Sequence, residues 1–318
     1  MGKIKGLSKI IIMLLAILLP VISSNNLYII NIFVLTGIYV IVAVGLNLLT
    51  GYTGQISMGH AAFYGLGAYS SALLAANFGI PFWIGIIAGG VVAFIFGIIM
   101  GLPSVKLSDS YLALVTIGFS WIVRLVLVNW VPVTRGPSGV TAIPAPSIGK
   151  FLFQGISYYY LVLVFCCLAI LVAYRLINSR VGRAFIAIRE NSVAAEAMGI
   201  NTYKYKLIGF AVSAAFAGVA GVLYAHAVSY ISPDTFTFDQ SVMFLTMIMI
   251  GGLGNISGSI VGALLIGILP EYLRAFGDYQ TAIYGLMIIL VLIFMPQGMV
   301  GGFKSLWKHI STKRLTEN

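Results

Sequence analysis

Arg180-Val-Gly-Arg183-Ala-Phe-Ile-Ala-Ile-Arg189-Glu190-Asn191-Ser-Val-Ala194-Ala195-Glu196-Ala197-Met-Gly199-Ile-Asn201 is a charged stretch in the middle of an otherwise apolar chain. The side of a bilayer on which it lies fixes the topology of everything else. It carries three arginines and two glutamates. Asn191 or Ser192 can cap a short helix at Val193, because either side chain accepts a free amide of the first turn. Gly199 can end that helix, since glycine takes the left-handed C′ conformation cheaply. The expected product is one or two short helices with small side chains, a peg for a soluble partner to grip. The competing reading is an amphipathic loop resting on lipid headgroups.

The composition makes this an integral membrane protein. Of 318 residues, 60% are hydrophobic and 8% are charged, against about 25% charged in soluble domains. Such a chain cannot solvate its own surface. The net charge of +10 does not require nucleic acid, because the charges are placed as membrane topology demands. Cys166 and Cys167 are adjacent, and helix neighbours point about 100° apart, so free thiols are expected. No metal-ligand spacing, nucleophile motif or phosphate-cradling loop is present. No cofactor is therefore expected, and any ATP must be bound by another chain.

Hydropathy predicts an all-α polytopic bundle of about ten transmembrane helices in a single domain, residues 1–318. The first apolar run, Ile10–Ile22, is short for a span of roughly 20 residues and resembles a signal-peptide core; an uncleaved helix is expected. There follow Leu27–Leu49, Ser57–Asn77, Phe82–Leu102, Tyr111–Trp130, Tyr158–Ile177 and Leu207–Ser229. Two shorter helices, about Gln240–Ile250 and Ser257–Leu273, are split by a glycine turn, and Thr281–Met295 is the last.

With the N-terminus inside, fourteen of eighteen lysines and arginines face the cytoplasm and three (Arg135, Lys150 and Arg274) face outward. That asymmetry follows the positive-inside rule. It puts the 178–206 loop and both termini in the cytoplasm. The longest outer loop, 131–157, holds four of the ten prolines. It reads as a docking surface for an extracytoplasmic partner or as a rigid connector.

Gly51-Tyr52-Thr-Gly54-Gln55-Ile-Ser57 and Gly251-Gly-Leu-Gly254-Asn255-Ile-Ser257 share the pattern G-x-x-G-[QN]-I-S at an offset of 200 residues. Gly67 and Gly267 align at the same offset. Transporters are often built from two such halves with broken helices where the halves meet. Two unrelated glycine turns are the alternative. The helix count places both copies on one side, whereas an inverted repeat needs an odd number of crossings between them.

Gly45-Leu-Asn-Leu-Leu-Thr-Gly51-Tyr-Thr-Gly54-Gln-Ile-Ser-Met-Gly59-His60-Ala-Ala-Phe-Tyr-Gly65-Leu-Gly67-Ala-Tyr closely resembles the signature of branched-chain amino-acid ABC transporter permeases. Gly182-Arg183 through Asn201, with Tyr111–Phe119, Arg124 and Arg135–Gly139, resembles the LivM-type subunit rather than its LivH-type partner. The likeness runs from about residue 27 to 300. It implies a membrane-spanning subunit, not an enzyme, of an ATP-driven importer of branched-chain amino acids. Related permeases carry urea, short amides or simple sugars, and a passive channel is the remaining alternative.

The same resemblance implies a paralogous LivH-type permease, two cytoplasmic ATP-binding subunits and an extracytoplasmic substrate-binding protein. It also implies residence in a bacterial or archaeal cytoplasmic membrane. Residues 180–201 become the ATPase-coupling loop, with Arg183, Arg189, Glu190, Ala194, Ala195, Glu196, Ala197 and Gly199 as its candidate contacts. The spacing Ala195-Glu196-Ala197-Met198-Gly199 departs from the usual alanine–glutamate–glycine motif of ABC importers.

Tyr52, Gly54, Gln55, Ser57, His60, Arg124, Gly254 and Asn255 are the candidate pathway residues. His60 reads either as a buried histidine satisfied by a carbonyl or as a pathway residue. Arg124 sits about six residues, or roughly 9 Å, from the outer end of its helix. It either snorkels to the surface or meets a substrate carboxylate.

Overall fold

The computed structural model describes residues 15–21, 26–104, 109–279 and part of the stretch 282–301. The basic residues Lys3, Lys5, Lys9 and Lys106, and those from Lys304 onward, lie outside the described residues, as does most of the expected last helix. A helical segment at residues 15–21 is α1. The other helices are α2 (Leu27–Asn47), α3 (His60–Phe78), α4 (Phe82–Ser104), α5 (Asp109–Asn129), α6 (Val131–Thr134), α7 (Ile156–Ile177), α8 (Arg180–Glu190), α9 (Ser192–Ala197), α10 (Thr202–Val228), α11 (Phe238–Gly251) and α12 (Ile256–Leu273).

Six of these are long and apolar enough to cross a membrane: α2, α4, α5, α7, α10 and α12. With 23 residues at 1.5 Å each, α4 is about 35 Å long, enough for a hydrocarbon core of about 30 Å. Among the described residues these six qualify by length and composition, and much of the first and last of the expected ten spans lies outside those residues. α11 has only 14 residues, about 21 Å. α3 is long enough but carries His60, Ser70, Ser71 and Asn77.

Local chemistry sets the helix starts and stops. Asn26, Ser179, Asn191, Asn201 and Asn255 each cap a helix by accepting a first-turn amide, a contribution of about 1 kcal/mol apiece. Gly79 closes α3 in the left-handed region, its amide on the Ala75 carbonyl and that of Ile80 on Leu74.

α10 runs through the centre, against α2, α3 and α4, while α2 also packs on α7, α11 and α12. Lipid tails are as apolar as leucine, so close packing must hold such helices together. Backbones accordingly meet at glycines: a Cβ on Gly67 would collide with Gly218, and one on Gly221 with the Tyr64 carbonyl. The opposite faces of α4, α5 and α7 leave Ile87, Ile99, Trp121, Ile122, Leu125, Val164 and Leu171 exposed, a surface suited to lipid or another membrane chain.

The all-α expectation needs one amendment. At the end of the bundle remote from α8, β1 (Val140–Thr141) pairs antiparallel with β4 (Tyr230–Ile231), and β2 (Ser147–Ile148) pairs with β3 (Phe151–Leu152). These pairings satisfy backbone groups of the proline-rich 131–157 segment. The segment is anchored further by His226, whose Nδ1 bonds the Pro144 carbonyl at 2.7 Å, and by Trp83 Nε1, which donates to Ser147 at 2.9 Å.

Candidate functional site

Both G-x-x-G elements interrupt a helical hairpin, and the two interruptions touch. After α2, a wide π turn (Leu48–Tyr52) leads into residues 53–59, which have no regular ladder before α3 begins. The third helix thus starts at His60, three residues later than Ser57, because the Met58 amide goes to Thr116 of α5 and the Gly59 amide to Ser57 Oγ instead. After α11, residues 252–255 lead into α12. Gly54 and Gly254 have φ of +79° and +74°, the left-handed region that side chains with a Cβ avoid.

Asn47 joins the two. Its Nδ2 donates to the Asn255 carbonyl at 3.0 Å and to Ser259 Oγ at 2.7 Å, and its Oδ1 accepts the Gly254 amide at 2.9 Å. All of the amide's polar atoms are thereby used, as an almost wholly buried asparagine requires. A Cβ on Gly51 would collide with Asn47 Oδ1 and the Gly254 amide.

The irregular backbone is satisfied by hydroxyls from helices around it. The Met58 amide donates to Thr116 Oγ1 at 3.0 Å, the Ala61 amide to Ser241 Oγ at 2.9 Å, and Thr50 Oγ1 to the Gln55 carbonyl at 3.0 Å. Gln55 itself is buried against Thr53. His60 is fully buried, with Nδ1 2.9 Å from Ser57 Oγ and Nε2 2.6 Å from Ser213 Oγ. Its partners are hydroxyls rather than the expected carbonyl.

α8 lies across this junction. Ser179 caps it, and Gly182 allows its first turn to press on Ile177, where a Cβ would collide. Ala184, Phe185 and Ile188 face inward, while Arg183 and Glu190 are exposed. Near the helix end, Arg189 Nη1 donates to the Gly51 carbonyl. The same nitrogen occupies the space a Cβ on Gly254 would need, and Arg189 Cγ would lie 3.4 Å from a Cβ on Gly54. The Tyr52 hydroxyl faces the Ile256 amide and the same guanidinium. One side chain of the surface helix therefore sits in the crevice between the two breaks.

α9 forms as the sequence implies. The Asn191 side chain accepts the Ala194 amide at 3.0 Å, and Gly199 turns the chain at φ +81° with the Ile200 amide on the Ala195 carbonyl. Ala195 is buried, whereas Ala194, Glu196 and Ala197 face out between Val193 (77% exposed) and Met198 (83% exposed).

Arg124 is not among these residues. It lies toward the opposite end of the bundle, where its Nη2 pairs with Asp234 Oδ1 at 2.7 Å and its guanidinium stands 5.6 Å from the centre of the Trp121 ring. An ion pair within the chain is the outcome neither sequence reading of Arg124 contained. The structure thus assembles Tyr52, Gly54, Gly254, Asn255 and Arg189, and sets His60, Ser57 and Gln55 just behind them. Asn47 was missed, although an asparagine deep in the apolar run 27–49 was a signal.

Irregular backbone buried inside an apolar helical bundle, at the meeting of two broken hairpins, is an arrangement of membrane transport proteins. The chain belongs to the family of permease components of branched-chain amino acid transport systems, whose description matches residues 28–295. It is thus a multi-pass membrane transport subunit rather than an enzyme. It is 34% identical over 313 residues to the high-affinity branched-chain amino acid permease protein LivM of Escherichia coli K12, covering 91% of this chain and 73% of that one. It is 29% identical over 290 residues to LivH of the same organism, covering 83% and 91%. A probable LivM of the archaeon Methanocaldococcus jannaschii is 27% identical over 315 residues, covering 83% and 90%. No solved structure matches the chain significantly.

Proposed function

We propose that the chain is the LivM-type half of a two-permease ABC importer of branched-chain amino acids. A LivH-type paralogue forms the other half, two cytoplasmic ATPases drive it, and an extracytoplasmic binding protein delivers cargo. The reading is supported by greater identity to LivM than to LivH. The observation that carries the mechanism is Arg189, which links α8 to the breaks at Gly51 and Gly254. α9 is the peg an ATPase grips, α8 is the lever, and the breaks are the part of the pathway that moves. Gly54 and Gly254 at matching φ values support a repeat of two hairpins, α2–α3 and α11–α12, that turn at the same end of the bundle.

Two measurements test this. The complex reconstituted in vesicles is expected to import leucine with ATP. Arg189→Ala should keep binding-protein-stimulated ATP hydrolysis while leucine import falls about tenfold or more, a charge-assisted hydrogen bond being worth roughly 1.5–3 kcal/mol. Import and hydrolysis falling in proportion would remove Arg189 from the lever.

Orientation is tested separately. The reading has ten spans, both termini and the 178–206 loop in the cytoplasm, and 131–157 outside. Asn191→Cys and Ser138→Cys, in a background lacking Cys166 and Cys167, should react with an impermeant thiol reagent from opposite sides. Labelling of both from outside intact cells would overturn that topology.

A further inference from the structure

At the end of the bundle remote from α8, the turn between β4 and α11 lies against α3, α5 and α10. Asp234 pairs with Arg124 of α5 at 2.7 Å, and the Phe236 ring stands 6.4 Å from that of Tyr224 of α10. Phe236 is buried, its ring centroid 5.7 Å from Tyr64 and 5.9 Å from Tyr69, both of α3. The turn itself is a single 3₁₀ turn at Pro233–Thr235, a bend at Phe236 and one extended residue, Thr237, before α11.

The seat under it is more polar than its occupant. Among the described residues, the hydroxyls of Tyr64 and Tyr69 and the Arg124 Nε are buried without a hydrogen-bond partner. Buried polar groups are ordinarily satisfied, and phenylalanine has nothing to offer them. The Tyr69 hydroxyl lies in the field of the Asp234 carboxylate, which joins the ion pair to the aromatic cluster.

We propose that this seat is a cargo site for a zwitterionic amino acid with a branched apolar side chain, and that residues 232–237 are its displaceable plug. This rests on the importer reading above. The cargo carboxylate takes the Arg124 guanidinium from Asp234, and the cargo ammonium takes Asp234. Its aliphatic side chain takes the space of the Phe236 ring, while its ammonium, held at Asp234, donates to the Tyr69 hydroxyl. The pair is open to solvent, with the Asp234 side chain 72% and that of Arg124 33% exposed, so cargo can reach it, and exchanging it for one carboxylate and one ammonium leaves both charges partnered.

The test uses the assembled importer in vesicles, with leucine as cargo and saturating binding protein. Arg124→Gln should lower turnover about 10- to 100-fold, the range for losing a charge-assisted bond. The reversed pair Arg124→Asp with Asp234→Arg should not restore it, because the charges then face the wrong ends of the cargo. A plain structural pair would be restored by reversal, and wild-type turnover in that double variant overturns the proposal.

A second variant covers the case in which reversal prevents folding. A Cβ on Gly65 would stand 3.1 Å from Phe236 Cβ, close to disulfide range. Gly65→Cys with Phe236→Cys, lacking Cys166 and Cys167, should lose leucine import on oxidation and regain it with reductant. Unchanged import after complete oxidation sinks the plug. Wild-type import in the same vesicles reports independently on the importer reading.

Discussion

Gly254→Leu is expected to bring leucine uptake to background in membranes that still contain the assembled complex. Two effects act together there. A left-handed φ costs a residue with a Cβ about 1–2 kcal/mol. The Cβ also has no room, because the Arg189 guanidinium fills its position and the Gly51 carbonyl lies at 3.0 Å. The side chain must therefore expel Arg189 from the crevice, and the lever loses its hold on both breaks. Gly54→Leu bears the same backbone cost, but its Cβ would be 3.4 Å from Arg189 Cγ, an ordinary contact. Its loss should be smaller, about 5- to 30-fold if strain alone decides. Gly54→Asn should retain most activity, since asparagine tolerates the left-handed region.

Gly85→Leu is the contrast. A Cβ there meets Ser71 Oγ, which holds His226 at 2.9 Å. Overpacking should lower the amount of folded protein and leave turnover per molecule alone. The measurement is uptake divided by partner-assembled complex. Wild-type turnover in Gly254→Leu by that measure would make the glycine breaks ordinary packing.

What was legible in the sequence was local. Asn191 and Gly199 bound α9 because capping and left-handed turns depend on residues within one turn of each other. The two breaks were legible because glycine takes a positive φ at least cost, and the spacing repeats. Their contact is a tertiary fact, yet a single buried asparagine, Asn47, could have announced it: an amide in an apolar run must find partners. Arg124 shows the opposite case. Asp234 is 110 residues away, in a turn that had no pattern to read. The start of α3 was misplaced for a similar reason. Thr116 and Ser241 take backbone amides near residues 58–61, and no propensity scale contains helices that come later in the chain.

The second large effect concerns α9. Ala194→Glu combined with Ala197→Glu should abolish uptake while the permease remains in the membrane. Both positions lie on the exposed side of a six-residue helix. Val193 and Met198 beside them expose apolar side chains that no part of the described chain covers. In a solvent-facing loop two glutamates are harmless, so an amphipathic segment that merely rested on the membrane would lose little beyond some headgroup attraction. In the groove of a soluble partner the same carboxylates would be desolvated without a counter-charge, which costs several kcal/mol. Met198→Ser isolates the apolar part, removing about 1.5–3 kcal/mol of burial. Ala195 serves as the comparison: it is buried beneath the peg, and Ala195→Glu should unseat α9 and lower permease abundance. The readout is the amount of ATPase that co-purifies with tagged permease, measured beside uptake. Full recovery of ATPase and normal uptake in the Ala194/Ala197 double variant would mean that the partner grips some other part of the chain, and that α8 is a lever without a handle.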